Sequence, residues 1–472
     1  MKNGRNQTPE KYDVIIVGCG SAGIFAALEM KRINPESRIL ILEKGSSIEK
    51  RVCPKRKTGR CAGCNPCNIT TGFSGAGAYS DGKLSLSPDV GGTLPEHIGY
   101  RETQELINYV DDIYLSFGAD RNVYGIDNPQ RIEEIRTKAI RSNLKLVECP
   151  IRHLGTEESY NIYVKIQKHL LDSGVEILFR NPVEDLIIED GVAKGVIADR
   201  EYYADNVIVA VGREGSDWFK VLCDKYGIES EVGIIDIGVR VEVRNEVMKE
   251  LNETMYESKL IYHTPTFDDK VRVFCSNPSG EVTTEYYEDN LAVVNGHSYK
   301  AKDMKTNNTN FALLVSKHFT EPFNEPIEYG KSIAKLANML AGNRIIVQRY
   351  GDFKRGRRTI EERLMRNNIV PTLKDAVPGD LSLVFPYRIM LDIKEMIEAL
   401  DKIVPGIASD ETLLYGVEVK FYSNKVKTNR DFETNIKKLY VAGDGAGITR
   451  GLMQAGANGV YLARRIAKLS EH

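Results

Sequence analysis

An α/β fold assembled from separated stretches of chain is what this sequence predicts, and three observations predict it. Residues 12–43 read as strand, glycine turn, helix and strand; a second strand runs into glycine at 204–213; a third, at 438–447, runs into Gly-Asp before a helix. Strands that alternate with helices point to a parallel sheet covered on both faces. The 472 residues are enough for about three domains. Hydrophobic residues make up 42% and charged residues 28%, ordinary for a folded globular chain. Lys and Arg total 64 against 66 Asp and Glu, a net charge of −2, so no global basic field draws in nucleic acid or an anionic membrane. Apolar runs such as Val14–Val17 and Val207–Val211 fall far short of the ~20 residues a membrane helix needs. Met1–Lys11 lacks the apolar core of a secretory signal. The expectation is a soluble, cytoplasmic protein that acts on a small molecule, with no nucleic-acid partner and no membrane span.

The N-terminal unit is the most specific. Tyr12–Val17 is a buried-strand run, Gly18-Cys19-Gly20-Ser21-Ala22-Gly23 follows, and Ile24–Met30 continues as a helix. Gly18 permits the tight turn, Gly20 lets backbone approach a pyrophosphate, and Gly23 lets helix and sheet pack closely. Ser21 and Ala22 start the helix, whose free N–H groups and dipole attract a phosphate. The second strand, Arg38–Leu42, ends at Glu43-Lys44, and Glu43 stands where an acid accepts from ribose hydroxyls. This is a Rossmann-type dinucleotide site; FAD and NAD are not separated by these residues alone.

Two distant segments resemble the remaining parts of a glutathione-reductase-like FAD domain. Ala204–Arg213, with Ala210 and Gly212 at its end, is similar to that superfamily's strand beside the FAD crevice, and the hairpin pattern of Pro182–Gly191 leads into it. Lys438–Gly447 resembles the strand that carries Gly443 and Asp444; by this resemblance Asp444 reaches the ribityl chain, and Gly447 and Gly451 open a helix aimed at the flavin pyrimidine edge. No second GxGxxG follows a strand, so NAD(P)H enters only as a transient electron donor.

Eight cysteines divide unequally. Cys53, Cys61, Cys64 and Cys67 fall within fifteen residues, spaced C-x7-C-x2-C-x2-C, while Cys19, Cys149, Cys223 and Cys275 are scattered. Three readings stand: ligands of an iron–sulfur cluster, most plausibly [4Fe-4S], because the triplet is related to the ferredoxin core; a redox dithiol near the flavin; or structural zinc or inert thiols. Six cations between Lys50 and Arg60 would offset the charge of a cluster, or hold a phosphate. The small residues of Thr70–Leu84, Gly75-Ala76-Gly77 among them, suggest backbone pressed against the isoalloxazine.

Taken together, Cys53-Pro54, Cys61, Cys64, Cys67 and Gly75–Leu84 resemble a bacterial family of FAD-dependent dehydrogenases, within the glutathione-reductase-like flavoproteins. Further similarity lies at Arg152–Thr156, Asp236–Glu242, Val271–Cys275, Asn295–Ser298 and Gly416–Val419. Where that family is expected to carry an aromatic-containing stretch and a second glycine pair, this chain has Ile448-Thr449-Arg450-Gly451. The resemblance implies an FAD domain at 10–96, 149–232 and 431–472, a helical insertion at 97–148, and a mixed α+β substrate domain at 233–430. Candidate catalytic groups are His153, Cys275, Glu418 and Arg430. The run Lys354-Arg355-Gly356-Arg357-Arg358 could hold an anionic substrate or a donor protein.

The function this predicts is an FAD-dependent oxidoreductase moving a hydride or electron pair between flavin N5 and a small organic substrate, most concretely at an activated C=C bond. The cysteine segment would relay single electrons or act as a dithiol, with NAD(P)H or a ferredoxin-like protein as donor. The alternative is a flavin redox sensor or electron carrier that binds a protein; a flavin monooxygenase fits less well.

Overall fold

The computed structural model describes residues 11–54, 64–79, 82–231, 233–255, 257–287, 291–297, 305–320, 322–323, 325–420 and 425–470. The chain divides into two compact units, each built from separated segments. The first comprises Met1–Val123, Ile151–Glu231 and Ser423–His472; the second comprises Tyr124–Pro150 and Val232–Tyr422. Residues 97–148, expected as one helical insertion, are shared between them. Helix Tyr100–Ser116 belongs to the first unit, whereas helix Pro129–Arg141 and strand Leu144–Val147 belong to the second. The mixed α/β fold follows from the sequence pattern in both.

In the first unit β1 (Lys11–Val17) lies between β2 (Ile39–Glu43) and strand Glu201–Val209, parallel to both, with Val14 opposite Ile39 and Asn206. Strand Glu176–Phe179 continues the sheet beyond β2, and strand Leu439–Val441 pairs in parallel with Val207–Val209. Strands Val192–Ile197 and Asp185–Glu189 extend it antiparallel. Because both faces are covered, the central strands carry unbroken apolar runs: Ile15, Ile16, Leu40, Ile41, Val207 and Ile208 are fully enclosed. Helix α1 (Ser21–Ile33) and the C-terminal helix Leu452–Ser470 approach backbone to backbone at Ala22 and Gly459. A Cβ on Gly459 would come within 2.1 Å of the Ala22 carbonyl, so only glycine allows that approach. The same helix pair is locked by buried Glu29, which accepts from Arg32 at 2.8 Å, Arg464 at 2.6 Å and the Tyr109 hydroxyl at 2.7 Å. Burial alone would raise the Glu29 carboxyl; these donors outweigh it and bring it to about 2.

The second unit is centred on an eight-stranded sheet. Its order is Val377–Pro378, Ile346–Arg349, Leu413–Lys420, Ile235–Arg244, Asn308–Lys317, Lys270–Asn277, Lys259–His263 and Leu144–Val147. The period of two sorts the central strand Ile235–Arg244. Ile237, Val239, Val241 and Val243 join the core formed with Ile389, Ile393, Met396 and Ile397 of helix Tyr387–Asp401. Arg240 and Glu242, out of phase with them, are equally buried. Hairpin Glu281–Tyr286/Ala292–His297 and helix Pro326–Ala341 complete the unit. No helix among the described residues is long and apolar enough to cross a membrane.

Helix Tyr387–Asp401 carries one fully buried carboxyl, Asp392, which accepts from the Thr264 hydroxyl at 2.8 Å and faces Asp269. Asp269 is held by Lys317 and by Arg388, the latter at 2.6 and 2.9 Å, and is lowered to about 2. Burial, together with that neighbouring carboxylate, raises Asp392 to about 7. Between the unfolded value near 4 and about 7, the folded chain therefore binds a proton that the unfolded chain has released, so stability from this group is full at low pH and declines as pH rises through 7. Replacing Asp392→Asn should remove that slope. The melting temperature of the variant should match wild type near pH 4 and exceed it at pH 8; equal melting temperatures at both values would show that no proton is held there.

Candidate functional site

The site grows out of the three glycines between β1 and α1. Gly18 has φ +100°, and a Cβ there would sit 2.9 Å from the Ala210 carbonyl oxygen; a Cβ on Gly23 would sit 2.3 Å from the Gly18 carbonyl oxygen. Both are required by packing of backbone on backbone. Gly20 is different: its φ of −82° suits any residue, and a Cβ there would meet nothing within 4 Å. The space over the start of α1 is open, and the helix begins with no side-chain cap, so its N–H groups are presented to that space. Gly212, at the end of the neighbouring strand, is equally open, and a Cβ on Gly75 would lie 3.6 Å from the Gly20 Cα. The segments expected to hold a dinucleotide thus border one cradle.

Glu43, buried at the end of β2, ties the walls of that cradle together. Its Oε2 accepts from the Cys19 N–H at 2.8 Å, and its Oε1 accepts from Gly45 N–H at 2.7 Å and Gly72 N–H at 3.1 Å. A carboxylate offers about four lone-pair positions, so acceptor capacity remains for a hydroxyl. Lys44 turns away to Glu214, 3.7 Å from its carboxylate.

One residue of this wall is not marked by any motif. Arg51 is 3% exposed, although it belongs to the run of cations expected to offset the charge of a cluster or to hold a phosphate. Its guanidinium donates to the carbonyls of Asn68 at 2.9 Å and Ile69 at 2.7 Å, to the Phe73 carbonyl, and to the Ser74 hydroxyl at 3.3 Å. It also stacks on the Tyr79 ring, 4.7 Å from the centroid. Burial pulls it below its ordinary range, but a guanidinium stays charged. Arg51 therefore braces residues 67–79 from beneath, and Gly72, with φ +115°, is glycine because a Cβ would lie 2.6 Å from the Ser46 carbonyl oxygen and 2.7 Å from the Arg51 side chain.

The C-terminal segment supplies the other end. Gly443 and Gly447, both at positive φ, bracket the turn that carries Asp444. Burial raises the Asp444 carboxyl, which accepts from the Thr449 hydroxyl at 2.8 Å. The Asn458 side-chain oxygen accepts from Gly443 N–H at 3.0 Å; its Nδ2, fully buried, has no hydrogen-bond partner among the described residues. Gln454 is fully engaged with Pro88–Leu94, donating to the Pro88 and Val90 carbonyls and accepting from Leu94 N–H. Arg450 N–H donates to the Gly91 carbonyl at 2.7 Å, so the Ile448–Gly451 stretch is stitched to that loop. Ser21 donates to the Leu452 carbonyl at 2.8 Å, joining the two helix starts, and Ala22 touches Gly443. Gly77 lies against Tyr163, whose hydroxyl pairs with that of Tyr114 at 2.8 Å.

The remaining candidates separate. His153 pairs with Lys83 across a short antiparallel ladder, beside the glycine-rich segment. Arg430 is an exposed side chain 3.9 Å from Glu102. Glu418, expected to reach a substrate, is instead enclosed in the second unit, where both oxygens accept from Arg240 at 2.8 Å; its carboxylate is consumed by a core ion pair. Cys275 lies half-buried beside the same arginine. The cation run at 354–358 stays exposed but is paired within its own surroundings: Lys354 and Arg355 with Asp410, and Arg357 with buried Asp352. Of the cysteine cluster, Cys53 and Cys67 are half-buried and Cys64 exposed, all as free thiols; Cys61 lies outside the described residues, as do Ser80 and Asp81. Among the described residues no three metal-ligating side chains converge.

Comparison with known proteins finds likenesses to part and to the whole of the chain. Residues 235–421 match the family model described as FAD-dependent protein, C-terminal domain-like. A protein of Clostridium beijerinckii (strain ATCC 51743 / NCIMB 8052), described as uncharacterized, is 26% identical over 498 aligned positions that cover 99% of this chain and 82% of that one. Among solved structures, formate oxidase of Aspergillus oryzae RIB40 is 14% identical, covers 98% of this chain and 100% of its own, and superposes with a TM-score of 0.45. Quinol fumarate reductase of E. coli is 12% identical, covers 98% of this chain and 71% of its own, with a TM-score of 0.40.

The glycine geometry separates folding from binding. Gly23→Ala should destabilise the chain by on the order of 3 kcal/mol through overpacking, seen as a fall in denaturation midpoint. Gly20→Val should leave that midpoint close to wild type while weakening FAD affinity at least about tenfold, measured by flavin fluorescence titration. Equal FAD affinity in Gly20→Val would show that the cradle is not where the pyrophosphate lies.

Proposed function

We propose that the chain is an FAD-dependent oxidoreductase that exchanges a hydride or electron pair with a small organic substrate. The observation that carries this reading is the open cradle at Gly20 and Gly212, walled by Glu43 and Asp444 and set over an uncapped helix start. The match of residues 235–421 to the FAD-dependent family model supports it independently.

On this reading Gly18, Gly20, Ser21, Ala22 and Gly23 receive the pyrophosphate, with α1 supplying N–H donors and the positive end of its dipole. Glu43 accepts from the adenosine ribose with the capacity its three backbone contacts leave. Asp444 accepts from the ribityl chain, and its orientation is held by Thr449. Gly75, Ala76 and Gly77 give the flavin ring a flat backbone surface, braced by Arg51. When bound, FAD supplies the hydride or single-electron chemistry that no side chain can perform. The buried Asn458 amide, still one acceptor short, and the start of helix Leu452–Ser470 place donors where they favour negative charge on the ring system. His153 is the side chain of this unit best placed to move a proton, because its strand borders the glycine-rich segment. The cysteine segment enters as a second redox element, cluster or dithiol. NAD(P)H or a ferredoxin-like protein is the expected donor.

Anaerobically purified protein should show flavin absorbance bands, and those bands should bleach on addition of the substrate or return when an activated alkene is added to the reduced protein. Iron and acid-labile sulfide assayed on the same sample separate the cysteine readings: about four of each per chain assigns a cluster, and their absence with two titratable thiols that vanish on oxidation assigns a dithiol. Asp444→Ala should lose flavin at concentrations where wild type retains it. A folded chain that neither carries FAD nor takes it up would overturn the proposal.

A further inference from the structure

Two of the clustered cysteines flank the contacts that the Arg51 brace makes. The Arg51 side chain donates to the Asn68 carbonyl at 2.9 Å and to the Ile69 carbonyl at 2.7 Å. One residue on, the Val52 carbonyl accepts from Asn68 Nδ2 at 2.9 Å. These contacts step forward along one stretch and backward along the other, from 51 with 69 to 52 with 68. The next step of that register is Cys53 with Cys67. A disulfide needs Cα atoms within about 7 Å of each other, a separation that adjoining stretches of chain supply. Both cysteines are half-buried free thiols, whereas Cys64 is exposed.

Cys67 is also tied to the arginine and to the wall of the cradle. Burial works against the Arg51 charge, and Tyr79, Glu43, Cys67 and Cys19 favour it, so Cys67 lies within electrostatic range of the guanidinium. The Cys67 carbonyl accepts from Thr71 N–H at 2.9 Å. Beyond it Arg51 donates to the Phe73 carbonyl and the Ser74 hydroxyl, and its own carbonyl accepts from the Tyr79 hydroxyl. Glycine-rich backbone buries little apolar area of its own. Whatever fixes Arg51 against Asn68 and Ile69 therefore fixes the wall at 72–77 as well.

We propose that Cys53 and Cys67 form a reversible disulfide that clamps the Arg51 brace, so that the redox state of this pair sets how firmly residues 67–79 are held. The oxidant is a low-molecular-weight disulfide. One cysteine sulfur attacks it, forming a mixed disulfide and releasing one small thiol; the second sulfur then displaces the other small thiol. The Cys53–Cys67 bond forms, the small S–S bond breaks, and the two electrons and two protons given up by the protein leave on the two small thiols. A small thiol in excess runs the exchange backward. The proposal rests on the dithiol branch of the proposed function, whose two sulfurs it names, and does not depend on flavin binding.

Full-length protein equilibrated with oxidised glutathione or with dithiothreitol, then alkylated and mapped by peptide mass spectrometry, tests the pairing. A peptide linked through Cys53 and Cys67 should appear in the oxidised sample and disappear in the reduced one. Cys64→Ser should keep that link and Cys53→Ser should abolish it. Hydrogen exchange on the same two samples tests the clamp without reference to flavin: backbone amides of Gly72–Tyr79 should exchange about tenfold more slowly in the oxidised protein, and Cys53→Ser should show the faster rate in both. A disulfide that uses Cys61 or Cys64 in place of this pair overturns the proposal. So does equal exchange at Gly72–Tyr79 in the two states, or bound iron that Cys53→Ser releases.

Discussion

At the end of β2 a single carboxylate accepts three backbone N–H bonds from three different stretches of chain. Glu43 holds Cys19 of the glycine turn, Gly45 of its own exit loop and Gly72 of the glycine-rich segment. Each is a charge-assisted bond, worth about 1.5–3 kcal/mol in a buried setting. The cradle exists because these three loops, none of which has regular structure to hold it, share one anion. Arg51 does the complementary work from the other side, donating to four groups between Asn68 and Ser74. A buried anion and a buried cation thus shape a loop assembly that apolar packing could not define, since glycine-rich backbone offers little apolar area to bury.

The same division of labour recurs in the second unit. One face of the central strand Ile235–Arg244 is an ordinary hydrophobic core, and the other carries Arg240 paired with Glu418 and Glu242 receiving Tyr415, Thr372 and Asn308. Replacing such a network with apolar residues is often neutral or stabilising in other proteins, so its stability contribution does not explain its presence. Its effect is positional: Arg240 joins Glu418, the Cys275 carbonyl and Asn310 from three other strands of the sheet.

Distance along the chain hides most of this. Gly443 and Asp444 lie more than four hundred residues from Gly20, yet the helices that follow the two glycine turns are pressed together through Gly459 and Ala22, which brings both turns to the same end of the sheet. Helix Tyr100–Ser116 and strand Leu144–Val147 look like one local insertion, but their apolar faces find partners in different units. Amphipathic pattern states that a face must be covered; it does not state by what.

What the sequence by itself determined is local: the strand–turn–helix of residues 11–33, the turns that need glycine, the strand at 439–441 with its Gly-Asp exit, and the cysteine spacing, because each depends on neighbours within a few residues. The tertiary structure decided the fate of the charged residues. Arg51 and Glu418 look like surface or substrate groups in a linear reading, and the cations at 354–358 look like an anion-binding run. Only the folded chain shows that Arg51 braces a loop, that Glu418 is spent on Arg240, and that Asp352 and Asp410 engage three cations of the exposed run. The physical reason is that a charge is buried only when a partner from elsewhere in the chain meets it, and such partners leave no periodic trace in the sequence.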